Sequence, residues 1–155
     1  MAIWQFGFSV IPESEPVLER FRDNNINNEL SDIDDIRSWK GYYLSQASLE
    51  KISEFFQPTK SWSDNIRQYG NLDETCIELL YENDILIEIS VRLDLRKLSQ
   101  EIFSAVIDFV RVNKALILTQ QGVILRPSEE DVIIEMKKSD AFSFINNPQD
   151  FLYSL

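Results

Sequence analysis

One stretch of the sequence, DILIEISVRLDLR at residues 84–96, alternates aliphatic side chains with charged or polar ones. Successive side chains of a β-strand point to opposite faces, so the charged residues are expected to share one face of a sheet. They are Glu88, Arg92, Asp94 and Arg96. Two interpretations fit: a solvated face with weak surface ion pairs, or a polar recognition face whose Arg-Asp-Arg arrangement binds a phosphate or a carboxylate.

A second candidate is the segment DNNINNELSDID at residues 23–34, which resembles the calcium-binding loop of an EF-hand. Asn28 takes the place of the invariant glycine, and Asp34 is one methylene shorter than the usual bidentate glutamate. Both departures weaken a calcium site, so the sequence predicts a solvated acidic loop and no metal. The oxygen ligands would be Asp23, Asn25, Asn27, Ser31 and Asp34.

The catalytic chemistry available to the chain is restricted, because it contains no histidine. Histidine is the usual general base near pH 7 and the commonest metal ligand. The single cysteine, Cys76, lies in a predicted strand and is interpreted as a small buried hydrophobe rather than a nucleophile. Carboxylates are plentiful, but none stands out by its spacing. The sequence therefore predicts no catalytic residue and no cofactor.

The charge of the chain bears on its partners. With 15 basic and 26 acidic residues, the net charge is −11, which repels nucleic acids and anionic membranes. Acidic residues are concentrated in residues 13–35, and the aromatic WKGYY segment follows at 39–43. If a partner exists, the sequence predicts a basic protein recognised by acidic residues and aromatic anchors. The candidates are Asp32, Asp34, Asp35, Trp39 and Tyr42.

The sequence lacks the usual signs of a secreted or membrane protein. One cysteine permits no internal disulfide, the N-terminal residues have no signal-peptide pattern, and no apolar run reaches the ~18 residues of a membrane span. We therefore expect a soluble cytoplasmic protein. Its length and the absence of a linker predict a single domain over residues 1–155.

The elements that position these residues follow from periodicity and capping signals. The pattern predicts an α+β fold: a mostly antiparallel sheet with helices packed largely on one face, for which a ferredoxin-like β-α-β-β-α-β core is one connection. Trp4, Trp39 and Trp62 are assigned to the core or its rim. Strands are predicted at 3–10, 75–81, 84–96, 115–119 and 122–126, and helices at 16–22, 48–56, 100–113, 129–138, about 139–145 and from Pro148 to Tyr153.

Part of the sequence resembles a group of small acidic bacterial proteins, some of which are classed with the immunity proteins of toxin systems. The resemblance covers roughly the last two thirds of the chain, through the segments YGN, RLDLRKLS and NNPQDFLYSL. It implies a cytoplasmic binding protein that neutralises a cognate toxin, and it transfers no functional residue. The preferred interpretation is a non-catalytic protein-binding module. The alternative is a small enzyme or ligand-binding domain with a carboxylate-lined pocket.

Overall fold

The computed structural model describes residues 1–23 and 35–149. Within these residues, all strands belong to one antiparallel sheet. The strands are β1 (Gln5–Pro12), β2 (Pro58–Thr59), β3 (Ile66–Tyr69), β4 (Cys76–Glu82), β5 (Ile85–Asp94), β6 (Ala115–Thr119) and β7 (Ile124–Leu125). Their order in the sheet is β2-β3-β4-β5-β1-β6-β7. The predicted 84–96 strand therefore lies near the centre, paired with β4 on one side and β1 on the other.

The helices begin where the sequence supplies capping side chains. Ser45, Ser99, Ser128 and Ser139 each accept a hydrogen bond from a backbone N–H in the first turn, which satisfies a donor that the helix leaves unpaired. The helices are α1 (Glu15–Asp23), α2 (Gln46–Phe55), α3 (Gln100–Val112), α4 (Glu129–Lys137) and α5 (Asp140–Asn146). The predicted helices in these regions are confirmed, with shifts of a few residues at their ends.

The hairpin between β4 and β5 has a two-residue turn. Asn83 and Asp84 both have positive φ, 49° and 64°, which is the conformation of the type I′ turn that suits twisted antiparallel strands. Asn and Asp tolerate this region better than other non-glycine residues. The turn pairs Glu82 with Ile85 and Tyr81 with Leu86, and a β-bulge between Leu80 and Tyr81 then shifts the register by one residue, so that Leu79 pairs with Ile89.

One side of the sheet, the helix-covered face, holds the main core. Phe6, Phe8 and Val10 of β1 pack there with Ile89 and Val91 of β5 against residues of α2, α3 and α4. Burying one such side chain fully stabilises the fold by about 1.5–3 kcal/mol. The expected position of the 84–96 aliphatics beneath α3 is confirmed for the middle of β5, whereas Ile85 at its start is exposed.

The opposite side, the second face, carries the alternate residues of the same strands. Helix α1 covers only part of it, where Val17 packs with Ile11 of β1, Leu116 and Leu118 of β6, and Ile124 of β7. Because both sides of β1 are covered to some extent, all eight of its residues are buried. A half-buried first strand was predicted, and this was wrong for the residues on the second face, which are buried too. The residues predicted to face the core do so.

The connection of the central elements is that of a ferredoxin-like core. Along the chain these elements run β1, α2, β4, β5, α3, β6, and in the sheet the strands are ordered β4-β5-β1-β6. Strand β5 thus lies between β1 and β4, the split β-α-β arrangement. The α+β class is confirmed.

Some predictions lie outside the described residues. They are those concerning Asp32, Asp34, the acidic loop at 24–34 and the end of the last helix, residues 150–155. Residues 61–71, where the sequence was ambiguous, contain β3 and a glycine with positive φ, Gly70. In the described part of the chain, no helix is long and apolar enough to span a membrane.

Candidate functional site

The charged row of β5 is largely paired within the protein. On the second face, Nη2 of Arg92 lies 3.1 Å from a carboxylate oxygen of Glu78 on the neighbouring strand, and the Glu78 side chain is only 9% exposed. Glu88, earlier on β5, is half-buried. The Arg92 guanidinium therefore has a resident partner before any ligand arrives.

Asp94 is not available to a partner, because it is 1% exposed. Its carboxylate accepts hydrogen bonds from Nε and Nη2 of Arg96 at 2.9 and 2.8 Å, and its backbone N–H donates to the hydroxyl of Thr75. Burial raises the pKa of Asp94, but the hydrogen bonds from Arg96 and the charges of Arg96 and Lys97 outweigh it, and the net pKa is lowered. The expectation that Asp94 belongs to an exposed recognition face is corrected: it is a structural carboxylate.

Arg96 lies beyond the end of β5 and has a second structural contact. Its guanidinium stacks over the ring of Trp4, 3.8 Å from the centroid, a cation–π contact. The Trp4 indole N–H donates to the carbonyl of Asp73, and Nη2 of Arg96 donates to the same oxygen. Arg96 and Trp4 thus hold the 70–75 loop against the end of β5.

Trp39 was assigned to the core or its rim and was also a candidate interface anchor; it is 1% exposed, so the core assignment is confirmed and the anchor is corrected. Its indole N–H donates to the carbonyl of Val10 at 2.7 Å, and its backbone N–H donates to the carbonyl of Ile87 at 2.8 Å. The indole is large and apolar, and the backbone carbonyl of β1 satisfies its one donor, so burial is favourable. Trp39 therefore ties the segment before α2 to the sheet.

The other aromatics of this segment are exposed. Tyr42 is 46% exposed and Tyr43 is 80% exposed. They follow Trp39, whose bond to Ile87 fixes them at the end of the sheet where β5 begins. The prediction that Tyr42 is accessible agrees with this position; whether it binds a partner stays a prediction.

Trp62 lies at the same end of the sheet and was assigned wrongly to the core or rim, since it is 76% exposed. It belongs to the connection between β2 and β3, which is held to β4 by a hydrogen bond from the Tyr81 N–H to the Asn65 carbonyl at 2.8 Å. Polar neighbours on both sides, in the segment KSWSDN, were the available signal for exposure. Ile85, next to the hairpin turn, is 46% exposed.

We call this region the hairpin end, defined by Tyr42, Tyr43, Trp62, Ile85 and the turn Asn83–Asp84. It includes three exposed acidic residues, Asp64, Glu82 and Asp84, and two exposed lysines, Lys40 and Lys60. Asp35, a predicted partner-binding residue, is exposed four positions before Trp39. The hairpin end thus combines large apolar side chains with charges of both signs.

The cysteine thiol and the two carboxylates of one pocket are buried or paired in the described part of the chain. Burial, and secondarily the charge of Glu78, raise the pKa of the Cys76 thiol to about 11. In a pocket of about 330 Å³ near the end of β5, the carboxylates are Glu74, 3.5 Å from Nζ of Lys97, and Asp94, which is bound to Arg96. Among the described residues, no cluster of three acidic, cysteine or histidine side chains could hold a metal ion.

Comparisons with protein-family models, with curated proteins and with solved structures find no match for this chain.

Proposed function

We propose that the chain is a non-catalytic protein-binding module of the cytoplasm, an immunity protein that neutralises a toxin by covering it with the hairpin end. The observation that carries this proposal is the grouping at one end of the sheet of Tyr43, Trp62 and Ile85, which are 80%, 76% and 46% exposed. The resemblance of the last two thirds of the sequence to small acidic bacterial proteins of uncharacterised type, some of which are classed with immunity proteins, is consistent with it.

The chemistry of the hairpin end supports a protein as partner. Tyrosine and tryptophan side chains in the centre of an interface contribute most of its affinity, because they bury a large apolar area with few rotatable bonds. Nothing in the described fold requires a tryptophan at position 62, since its side chain is mostly in water. Trp62 and Tyr43 are the anchors on this proposal, and Tyr42 supports them.

The charge of the chain supports a basic partner. Asp64, Glu82 and Asp84 are exposed around the anchors, and the whole chain carries −11. Such a surface speeds the encounter with a cationic protein and repels nucleic acid. Asp32, Asp34 and Asp35 of the acidic segment would contribute to the same long-range attraction.

The test is a rescue assay with the product of the adjacent gene in the source genome. Cells expressing that product should stop growing, and co-expression of the wild-type chain should restore growth. Trp62→Ala and Tyr43→Ala should each lose rescue, with Kd raised about thirtyfold or more for a hot-spot residue. The matched control is Ile134→Ala, because Ile134 is an exposed apolar residue of α4, outside the hairpin end.

Two results would contradict the proposal. If the adjacent product is harmless, or is toxic and not relieved by the wild-type chain, the immunity role is rejected. If rescue survives both aromatic substitutions, the hairpin end is not the binding surface.

The association rate with the partner is a separate check. Replacing Asp32, Asp34 and Asp35 together by Asn should slow association at low salt. The effect should be smaller at high salt, since charges are screened beyond about 10 Å at 0.1 M. If neither the triple Asn substitution nor the salt concentration changes the association rate, the acidic segment does not attract the partner electrostatically.

A further inference from the structure

We propose that the protein partner of the hairpin end also inserts one large apolar side chain, a leucine or a phenylalanine, into a crevice between α2 and α3. This inference rests on the proposed function and adds a second contact to that surface. The α2–α3 crevice has a volume of about 180 Å³. Its apolar lining is formed by Ala47, Ile52, Phe55, Ala105, Phe109 and Val112.

Two alanines leave the crevice open to solvent. Ala47 of α2 is exposed and Ala105 of α3 is half-buried, and their methyl groups are too short to fill the space between the helices. Ile52 and Phe109, which line the same crevice, are buried residues of the main core. A side chain that enters the crevice would therefore contact core residues directly.

The polar groups at one end of the crevice are already paired. The side-chain oxygen of Asn113 accepts a hydrogen bond from the backbone N–H of Ser45 at 2.8 Å, and its Nδ2 donates to the Ser48 hydroxyl at 3.0 Å and to the Phe109 carbonyl at 2.8 Å. The Ser48 hydroxyl donates in turn to the carbonyl of Ser45 at 2.6 Å. A polar occupant would have to break these bonds, whereas an apolar occupant leaves them intact.

The charges at the crevice do not favour an ion. Among the described residues, the charged ones that line it are Lys51 and Asp108, one of each sign. Asp108 is also paired with Arg111, whose Nη1 lies 2.7 Å from its carboxylate. A neutral apolar side chain therefore suits this site better than a charged one.

The crevice is continuous with the hairpin end. Tyr43, which is 80% exposed, lies two residues before Ser45, and Ser45 lines the crevice. On the other wall, Val112 is 62% exposed at the end of α3, and the hydrogen bond between Ser45 and Asn113 joins the two walls here. The exposed apolar residues thus form one surface that a single partner can cover.

The size of the crevice agrees with one side chain. An apolar cavity of about 150 Å³ in another protein binds benzene, so the α2–α3 crevice has room for one aromatic ring or one leucine side chain. The side chains that contribute most to an interface are those that fill a pocket in the partner and exclude water. The inserted residue is therefore expected to be a hot spot of the partner.

The test uses the product of the adjacent gene and the ¹⁵N-labelled full chain. Binding should shift the amide signals of Ala47, Ala105 and Val112 together with those of the hairpin end. Ala47→Leu and Ala105→Leu each fill the crevice and should raise Kd about thirtyfold or more, the loss expected for a hot spot. The matched control is Glu50→Leu, which adds the same side chain at an exposed position of α2 outside the crevice and should leave Kd unchanged.

Indole, a neutral apolar probe, tests the crevice without the partner. At millimolar concentration it should shift the amide signals of Ala47, Ala105 and Val112 in the wild type. In Ala105→Leu these shifts should disappear, because the added side chain occupies the crevice. Retained amide dispersion establishes that each variant is folded.

The outcomes separate this inference from the proposed function. If Trp62→Ala loses partner binding while both folded leucine variants bind as the wild type does, the inserted side chain is rejected and the role of the hairpin end stands. The inference is also overturned if indole leaves these amides unshifted, or if they shift with protein concentration alone, which would assign the crevice to a second copy of the chain. A wild-type chain that does not bind the adjacent product rejects both proposals.

Discussion

The helix-covered face and the second face are built from alternate residues of the same strands, yet they are filled in different ways. Ile89 has no exposed surface and packs under the helices, while Ser90, its neighbour, is half-buried on the other side. On the covered side, apolar volume decides which residues fit. On the second side, an apolar cluster fills only the part under α1, and elsewhere polar residues pair with one another, as Glu78 and Arg92 do. The two faces of each strand therefore differ in the kind of side chain that fills them.

Replacing Ile89 and Ser90 separately by alanine compares how much each face of β5 contributes to stability. Ile89→Ala should lower the free energy of unfolding by about 2–5 kcal/mol, because it leaves a cavity in the core. Ser90→Ala should change it by no more than about 0.5 kcal/mol. Urea unfolding followed by circular dichroism measures both. Similar losses from the two substitutions would mean that the second face contributes to stability as much as the core does.

The thiol of Cys76 tests how far the second face is open. Cys76 is opposite Arg92 in the ladder but has no exposed surface, and its pKa is raised to about 11. At pH 8 the native protein should react with a thiol-specific reagent at least about a hundredfold more slowly than the urea-unfolded chain, since the thiolate is the reactive form. Fast reaction of the native protein would mean that solvent reaches this part of the sheet.

Asp94 sharpens the distinction between a paired carboxylate and a recognition group. Asp94→Ala should destabilise the fold by about 1–3 kcal/mol through the lost hydrogen bonds of Arg96. Because the folded pKa of Asp94 is lowered, its contribution is present above the unfolded value of about 3.9 and is lost as the pH falls through the lower folded value.

The urea midpoint of Asp94→Asn should therefore fall less than that of the wild type between pH 5 and pH 2. Glu50→Gln, at an exposed position of α2, is the control and should follow the wild type. A wild-type and an Asp94→Asn profile that stay parallel would remove Asp94 from the acid sensitivity of the protein.

The smallest effect is expected at the ion pair of the second face. The coupling energy between Arg92 and Glu78 in the variants Arg92→Gln and Glu78→Gln should be below about 1 kcal/mol, because the Arg92 side chain is 27% exposed and solvent weakens the attraction. A double-mutant cycle with Glu78→Gln measures the pair itself. A coupling energy above about 2 kcal/mol would mean that this ion pair stabilises the fold about as much as a core side chain does. The second face would then contribute to stability as the helix-covered face does.

The sequence was sufficient where local chemistry determines structure. Alternation predicted β5 and its buried side, and serine caps predicted the starts of α3 and α4. It failed for β3, because four residues carry too little periodicity to distinguish a strand from a helix. The burial of Ile11, an outward residue of β1, was also unpredictable, since it depends on α1 folding back over β6 and β7.

The candidate site was less accessible to sequence reasoning than the fold. Trp39 and Trp62 look equivalent in the sequence, but a carbonyl of β1 accepts from the indole of Trp39, while Trp62 remains in water. Ala47 and Ala105 are distant in the chain and line one crevice only after α2 and α3 pack together. Residue type indicates what a side chain can do; tertiary packing decides whether it is free to do it.

The position of β1 has a consequence for how the protein folds during synthesis. Phe8 pairs with Val91 on one side and with Thr119 on the other, so β1 is synthesised before both of its partner strands, β5 and β6, and stays unpaired until they emerge. Long-range pairing of this kind slows folding, and an unpaired apolar strand favours aggregation in the interval. The β4–β5 hairpin, closed by two residues, forms locally and early. We therefore expect the nascent chain to depend on chaperones until β6 emerges, and a circular permutant that begins at β4 and ends after β3, in which β1 is synthesised after β5 and β6, to aggregate less during synthesis.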